Sequence, residues 1–149
     1  MITKGEILSH CSQVLTEKIQ LLKAKLNELV EDAENDSKSS AGDKHETARA
    51  MMQLEQEKLI TQLSESERQL DVLSTINPEH KLDSIRTGAL VETGKGILFF
   101  AIPLGRITIG KTDIMVISSQ APLAKIMLNA RSNQSVSFNG TEYQIKSIN

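Results

Sequence analysis

Leucines recur every seven residues over the first 36 positions of the chain, at Leu8, Leu15, Leu22 and Leu29. Four residues after each of them stands a second small or apolar residue, namely Ser12, Ile19, Leu26 and Ala33. A three-four spacing sustained over four heptads is typical of a coiled-coil strand, in which these positions form the seam with another helix. The sequence therefore predicts a long helix that needs a partner along one side, with Thr3 and Glu6 spaced as a capping box at its start.

The partner helix is expected after a short reversal at residues 37–42, which is rich in small polar residues. A second three-four pattern follows it, at Met52, Gln56, Leu59, Leu63, Ser66, Leu70 and Leu73. This helix should stop before Pro78, because proline pushes the preceding residue out of helical conformation. Two heptad helices joined by a short connection pack antiparallel most economically. Residues 1–78 are thus predicted to form an antiparallel coiled-coil hairpin with its acidic tip at residues 37–46.

The composition changes after residue 78. All four aromatic residues lie beyond it, and the net charge changes from −5 for residues 1–78 to +3 for residues 79–149. Residues 121–128 predict one short helix, with Pro122 in its first turn. Short β-branched or aromatic runs between turns predict strands at residues 89–92, 97–103, 107–109, 114–118, 135–139 and 143–148. Residues 79–149 are therefore expected to form a C-terminal domain, and the whole chain an α+β fold in which an antiparallel β-sheet carries one short helix.

The overall charge and the cysteine content bear on the class of protein. A net charge of −2 argues against a free-standing DNA-binding protein, which usually has a strongly basic face. Cys11 is the only cysteine, so no internal disulfide can form, which fits a reducing compartment. Its place beside the seam favours a packing role. The sequence has no signal-like segment and no apolar run near 18 residues, so we expect a cytoplasmic protein without membrane contact.

No familiar catalytic or metal-binding motif occurs, and the three histidines are scattered without metal-ligand spacing. A self-contained active site and a cofactor of its own are therefore not expected. The chemistry-bearing residues that stand out are Asp43 and Glu46. Asp-x-x-Glu at the start of a helix can be a capping box, in which both side chains satisfy free backbone N–H groups. Alternatively, two carboxylates at the end of a rod can reach into another molecule and share a divalent cation.

Several strings resemble, in their order along the chain, the bacterial Gre family of transcript cleavage factors, which rescue backtracked RNA polymerase. The family's tip reads Gly-Asp-x-x-Glu-x-Ala, and residues 42–48 read Gly-Asp-Lys-His-Glu-Thr-Ala. Residues 117–125 are similar to the family's Ile-Ser-x-x-Ser-Pro-hydrophobic-Ala-basic string. Residues 85–91 look like the family's opening strand of the C-terminal half, and residues 142–148 like its closing strand. The resemblance spans nearly the whole chain.

The resemblance implies a division of labour between two domains. The coiled coil would enter the secondary channel of RNA polymerase, and an FKBP-like C-terminal domain would dock on the rim outside through Pro122, Leu123 and Lys125. Asp43 would be the principal contact to a second Mg²⁺ in the polymerase active centre, while Glu46 would support the metal or orient the attacking water. The protein would then be a monomeric accessory factor that stimulates the polymerase's own RNA cleavage. It would meet the RNA 3′ end only indirectly and would not itself be an enzyme.

Departures from the family pattern keep other functions open. Where the family commonly reads Glu-Asn-Ala-Glu-Tyr, residues 46–50 read Glu-Thr-Ala-Arg-Ala, so Arg49 replaces an acid and the aromatic is lost. Residues 105–110 stand in place of a Gly-x-x-Glu-Ala-Asp stretch, and Ser-Pro has become Ala121-Pro122. The alternative is a Gre-like channel-binding regulator or inhibitor without cleavage activity. A prolyl isomerase would need more aromatics than these four, and a purely structural coiled coil would leave the fused basic domain unexplained.

Overall fold

The computed structural model describes residues 2–36 and 43–149, except for the side chains of residues 36 and 43–45. The chain begins with two long helices, α1 (Lys4–Asp36) and α2 (Asp43–Ser74). The remaining elements are β1 (Leu90–Thr93), β2 (Gly96–Ala101), β3 (Gly105–Ile109), β4 (Thr112–Ser118), α3 (Pro122–Met127), β5 (Ser135–Phe138) and β6 (Thr141–Ile148). The predicted α+β class is confirmed, while the reversal predicted at residues 37–42 lies outside the described residues. None of the helices in the described part has the length and apolarity that crossing a bilayer requires.

The two long helices begin and end close to where the sequence predicts. The backbone N–H of Glu6 donates to Thr3 Oγ1 at 3.2 Å, and the N–H of Thr3 donates to Glu6 Oε2 at 3.1 Å. The predicted capping box is therefore present at the start of α1. Helix α2 ends at Ser74, four residues before Pro78, and its last turn is followed by tighter i to i−3 backbone hydrogen bonds.

One compact unit, Gln13–Leu70, contains most of both helices. On α1 the predicted seam positions Leu15, Ile19 and Leu22 are buried, and Leu26, Leu29 and Ala33 are half-buried. On α2, Leu59 and Ser66 are buried, and Met52, Gln56, Leu63 and Leu70 are half-buried. Every predicted seam position in this unit is thus at least partly removed from water. The hairpin with a shared apolar seam is confirmed.

The second compact unit consists of Met1–Ser12 and Asp71–Asn149. Its sheet has the strand order β3-β4-β2-β1-β6-β5. All neighbouring strands are antiparallel except β2 and β4, which pair in parallel from Ile97↔Ile114 to Ala101↔Ser118. The sheet is therefore mostly antiparallel, with one parallel pair that the sequence did not predict. The proposed domain boundary at residue 78, which follows composition, stays a prediction.

The core of this unit lies between the sheet and α3. Helix α3 contributes Ala124 and Met127 to a buried cluster with Leu82, Ile85, Ala89, Val91, Leu98, Phe100 and Ile145. The turn between β5 and β6 has positive φ at both central residues, 49° at Asn139 and 78° at Gly140, as a type I′ hairpin turn requires. Cys11 is fully buried, and this burial raises the pKa of its thiol to about 11. Its predicted packing role agrees with that burial.

Candidate functional site

The acidic tip predicted at residues 37–46 is described only at its C-terminal edge, where α2 begins. Asp43 is the first residue of α2 and Glu46 stands three positions later. Positions with this spacing are neighbours on a helix surface. Glu46 is exposed, whereas the side chain of Asp43 lies outside the described residues. The first turn of α2 therefore carries both acids that the sequence predicts to contact a metal ion, and it exposes at least one carboxylate to solvent.

The start of a helix is a favourable place for a carboxylate even without a further role. The positive end of the helix dipole stabilises an acidic side chain in the first turn by about 0.3–1 kcal/mol. The capping hydrogen bonds proposed for Asp43 fall outside the described residues. Within the described residues, the carboxylate of Glu46 forms neither an ion pair nor a hydrogen bond. The oxygen atoms of Glu46 are thus available to a cation from another molecule.

Arg49 lies one helical turn after Glu46 and is also exposed. Residues three apart on a helix can form an ion pair, yet no ion pair joins Glu46 and Arg49 among the residues that the structure describes. Arg49, which stands where the family pattern has an acid, therefore lies one turn from Glu46 without neutralising its carboxylate by direct contact.

The C-terminal end of α1 is strongly acidic. Its last turn contains no basic residue. Negative charge in the last turn of a helix is opposed by the dipole, at a cost of about 0.3–1 kcal/mol for an exposed group in that turn. Among the described side chains, Glu34 stands in that turn, and three further exposed acids precede it: Glu28, Glu31 and Asp32. A nearby cation would relieve this unfavourable field.

The chain does not build a complete metal centre from its described side chains. Among them, no three His, Cys, Asp or Glu residues come together as ligands; the side chain of Asp43 is not included. Carboxylate oxygens are the ligands that Mg²⁺ prefers, but the ion takes octahedral coordination and usually keeps several waters. Asp43 and Glu46 have the right chemistry for a part of such a shell. The rest would have to come from water and from another molecule.

A second candidate surface is formed by α3 and the residue that follows it. Pro122 and Lys125 are exposed, whereas Leu123 is half-buried and packs against the core cluster. Two apolar residues missed by the sequence reading are open to solvent, Ile126 at 50% and Leu128 at 46%. We call Pro122, Lys125, Ile126 and Leu128 the α3 surface. It places one cation beside two neighbouring exposed apolar side chains, and contiguous exposed apolar area can mark a protein-binding site.

The aromatic residues do not form an open pocket of the kind that a prolyl isomerase needs. Phe99 and Phe100 are both buried within β2, at 0% and 1% exposure. Only Phe138 and Tyr143 retain partial exposure, on β5 and β6. The arrangement gives no support to a prolyl isomerase function.

The C-terminal strings that resemble the Gre family meet in one core. Residues 85–91, 117–125 and 142–148 all contribute side chains to the cluster between the sheet and α3. Strand β6, which carries the last string, pairs with β1 through Val91↔Ile148. These strings therefore determine how the C-terminal unit packs, whereas Glu46 and Thr47 of the tip string are exposed.

Comparisons with known proteins find a similarity to a solved structure and none in sequence. No protein-family model matches the chain, and no curated protein is similar enough in sequence to match it. Among solved structures, the chain is similar to one described as the structure of the transcription factor Gfh1, with 19% identity over 92% of each chain and a TM-score of 0.37. At this identity and TM-score the similarity does not establish a family. The functional assignment therefore depends on the residues themselves.

Proposed function

We propose that this protein is an accessory factor of RNA polymerase. Its hairpin enters the secondary channel, and the acidic tip stimulates the polymerase's own cleavage of backtracked RNA. The protein acts in the cytoplasm as a monomer and is not itself an enzyme. The C-terminal unit holds the polymerase rim through the α3 surface.

One observation supports this function above the others. The first turn of α2 carries Asp43 and Glu46, which belong to the string at residues 42–48 that resembles the Gre family tip. Glu46 is exposed and has no partner among the described residues. Helix α1 has 33 residues and is therefore about 50 Å long. A core-forming helix of an ordinary domain has no need of that length. A hairpin of such helices has the reach to carry its tip into a narrow channel.

The two carboxylates can supply a part of the ligands of a magnesium ion, and the remaining ligands belong to the polymerase and to water. A magnesium ion shared with the polymerase supplies charge stabilisation and an activated water for attack on the RNA phosphodiester. Asp43 and Glu46 provide hard oxygen ligands for that ion, and the acidic end of α1 adds a negative field that attracts it. The hairpin seam holds both carboxylates on a stiff support, so that little entropy is lost when they meet the metal.

The second candidate function is channel binding without cleavage. Arg49 favours it, because a guanidinium one turn from Glu46 opposes a second cation at the same place. Such a protein would compete for the channel and slow RNA synthesis. It would bind polymerase but produce no shortened RNA.

A cleavage assay separates the two. Halted, backtracked elongation complexes are incubated with the wild type, with Asp43→Asn/Glu46→Gln, and with the charge-matched control Glu55→Gln/Asp71→Asn, whose residues are exposed on α2. We expect rapid shortening of the RNA with the wild type and the control, and the rate of polymerase alone with the tip variant. Equal shortening by the tip variant would remove the catalytic role. Binding without shortening by the wild type would establish the inhibitor.

The docking role of the α3 surface is tested by affinity. Lys125→Ala/Ile126→Ala removes the cation and one exposed apolar side chain without touching the core, since both residues are exposed. We expect the Kd for polymerase to rise at least about tenfold, because well-placed interface residues contribute more than 1 kcal/mol each. Lys111→Ala, in the turn between β3 and β4, is the control and should leave the Kd unchanged. Unchanged binding by the double variant would exclude this surface.

A further inference from the structure

A cavity of about 340 Å³ lies within the unit formed by Met1–Ser12 and Asp71–Asn149. Its walls come from the first residue of α1, the segment after α2 and the segment before β1. Its size falls in the range of small-molecule sites in proteins. Two cations, Lys4 and Arg86, line this cavity, and no carboxylate does.

Lys4 is an unusual residue to find in such a place. Its exposed fraction is only 5%, although lysine is almost never buried unless it is paired. Its ammonium donates one hydrogen bond, to the carbonyl of His80 at 2.7 Å. Within the described residues it has no carboxylate partner. A lysine ammonium has three N–H donors, so the described residues use one of them and leave two for a ligand or water in the cavity.

Further donors are available around Lys4. The guanidinium of Arg86 forms no ion pair and no hydrogen bond among the residues that the structure describes. The side-chain oxygen of Asn77 accepts the backbone N–H of Glu79 at 3.0 Å, which assigns the orientation of the amide and leaves its NH₂ group free to donate. Ammonium, guanidinium and amide thus line one concave site with donors to spare.

We propose that this cavity binds the phosphate group of a small molecule, held by Lys4 and Arg86 with the amide of Asn77 as a third donor. The residues that line this cavity include none of the tip and none of the α3 surface. It does not depend on polymerase binding, and it can be tested on the protein alone.

The number of charges favours phosphate over a carboxylate. A phosphate monoester carries between one and a half and two negative charges at pH 7, which matches two cations, whereas a carboxylate would neutralise only one. Phosphate also has several acceptor oxygens, so that it can take hydrogen bonds from three donors at once. Burial and, secondarily, the charge of Arg86 lower the pKa of Lys4. A bound dianion would offset both effects.

Binding is measured on the purified full chain by following backbone amide chemical shifts during titration with inorganic phosphate, with a nucleoside monophosphate, and with acetate. We expect saturable shifts at Thr87 and Gly88, which line the cavity, with both phosphate compounds and none with acetate. Tighter binding of the nucleotide would identify a phosphorylated metabolite as the ligand. Equal binding would identify phosphate itself.

Two variants and a control make the assignment specific. Lys4→Met keeps the length of the side chain and removes a buried charge, and Arg86→Gln changes an exposed residue that is not part of the core. Each should raise the Kd for phosphate at least about tenfold, because hydrogen bonds to charged groups contribute enough to change an equilibrium constant by that factor. Lys111→Gln should bind as the wild type does. Absence of saturable shifts in the wild type, or unchanged affinity in both cavity variants, would overturn the proposal.

Discussion

Replacing Leu22 by alanine should destabilise the hairpin, whereas the same change at the adjacent Leu21 should not. Leu22 lies on the seam and is 5% exposed, while Leu21 points away from it and is 57% exposed. Both are leucines in the interior of α1, so the change in helix propensity is the same in the two variants. The difference between them isolates the contribution of burial at the seam.

The expected magnitude follows from the burial of one leucine. Full burial of a leucine side chain contributes about 1.5–3 kcal/mol, and the cavity left by Leu→Ala in a core brings the loss to about 2–5 kcal/mol. A seam between two helices is open on both sides and can collapse around a missing side chain. We therefore expect Leu22→Ala to lower the free energy of unfolding by about 2–3 kcal/mol, and Leu21→Ala to change it by less than about 0.5 kcal/mol.

The assay is urea unfolding followed by circular dichroism at 222 nm, where the signal is dominated by the two long helices. The midpoint should fall for Leu22→Ala at unchanged slope, because the surface exposed on unfolding is nearly the same. Equal losses for the two variants, or a larger loss at Leu21, would refute the seam. The helices would then owe their stability to something other than the predicted face.

Two further perturbations test the C-terminal unit. Gly88→Ala should lower the free energy of unfolding by about 1–2 kcal/mol in urea unfolding, because Gly88 has φ of +97° and a Cβ there would lie 3.3 Å from Ile76 Cγ2. The control Gly94→Ala should be close to neutral, since φ of Gly94 lies outside the left-handed region and the atom nearest to its Cβ would be 3.9 Å away. Equal losses in the two variants would contradict this explanation. The pKa of Cys11 is raised by burial from 9.0 to about 11, so the unfolded chain loses the thiol proton first as pH rises. Because of this thiol, the free energy of unfolding should fall by about 2–3 kcal/mol between pH 9 and pH 11, at about 1.4 kcal/mol for each pH unit. Cys11→Ala should lack that part of the decline, and identical pH profiles for the two proteins would contradict the assignment.

Much of the fold could be predicted because its signals are local. The seam positions from Leu15 to Leu70 follow a period set by helix geometry, and burial obeys that period along both helices. The turn at Asn139-Gly140 was predictable because few residue pairs accept positive φ twice. The parallel pairing of β2 with β4 could not be predicted in the same way. Side chains alternate with the same period in parallel and antiparallel strands, so the choice depends on contacts far apart in the sequence.

The residues of the candidate sites could be predicted only where a sequence pattern indicates which side chains are exposed to solvent. Asp43 and Glu46 stand out because two acids begin a helix after a polar reversal. Helix α3 has only six residues, which is too few for periodicity to show which face is exposed. The sequence therefore suggested Leu123 as a docking residue, although it is half-buried against the core cluster. It did not indicate Ile126, which is exposed. The burial of Lys4 leaves no trace in the sequence, because a lysine at the start of a helix reads as an ordinary solvated residue.

The dependence of RNA cleavage on Mg²⁺ concentration tests the central claim most directly. If the tip carboxylates help to hold a magnesium ion, the wild type should lower the Mg²⁺ concentration needed for half-maximal cleavage in backtracked complexes. Asp43→Asn should return that concentration toward the value for polymerase alone, and high Mg²⁺ should restore part of the lost rate. A variant whose rate falls by the same factor at every Mg²⁺ concentration would contradict metal binding by the tip.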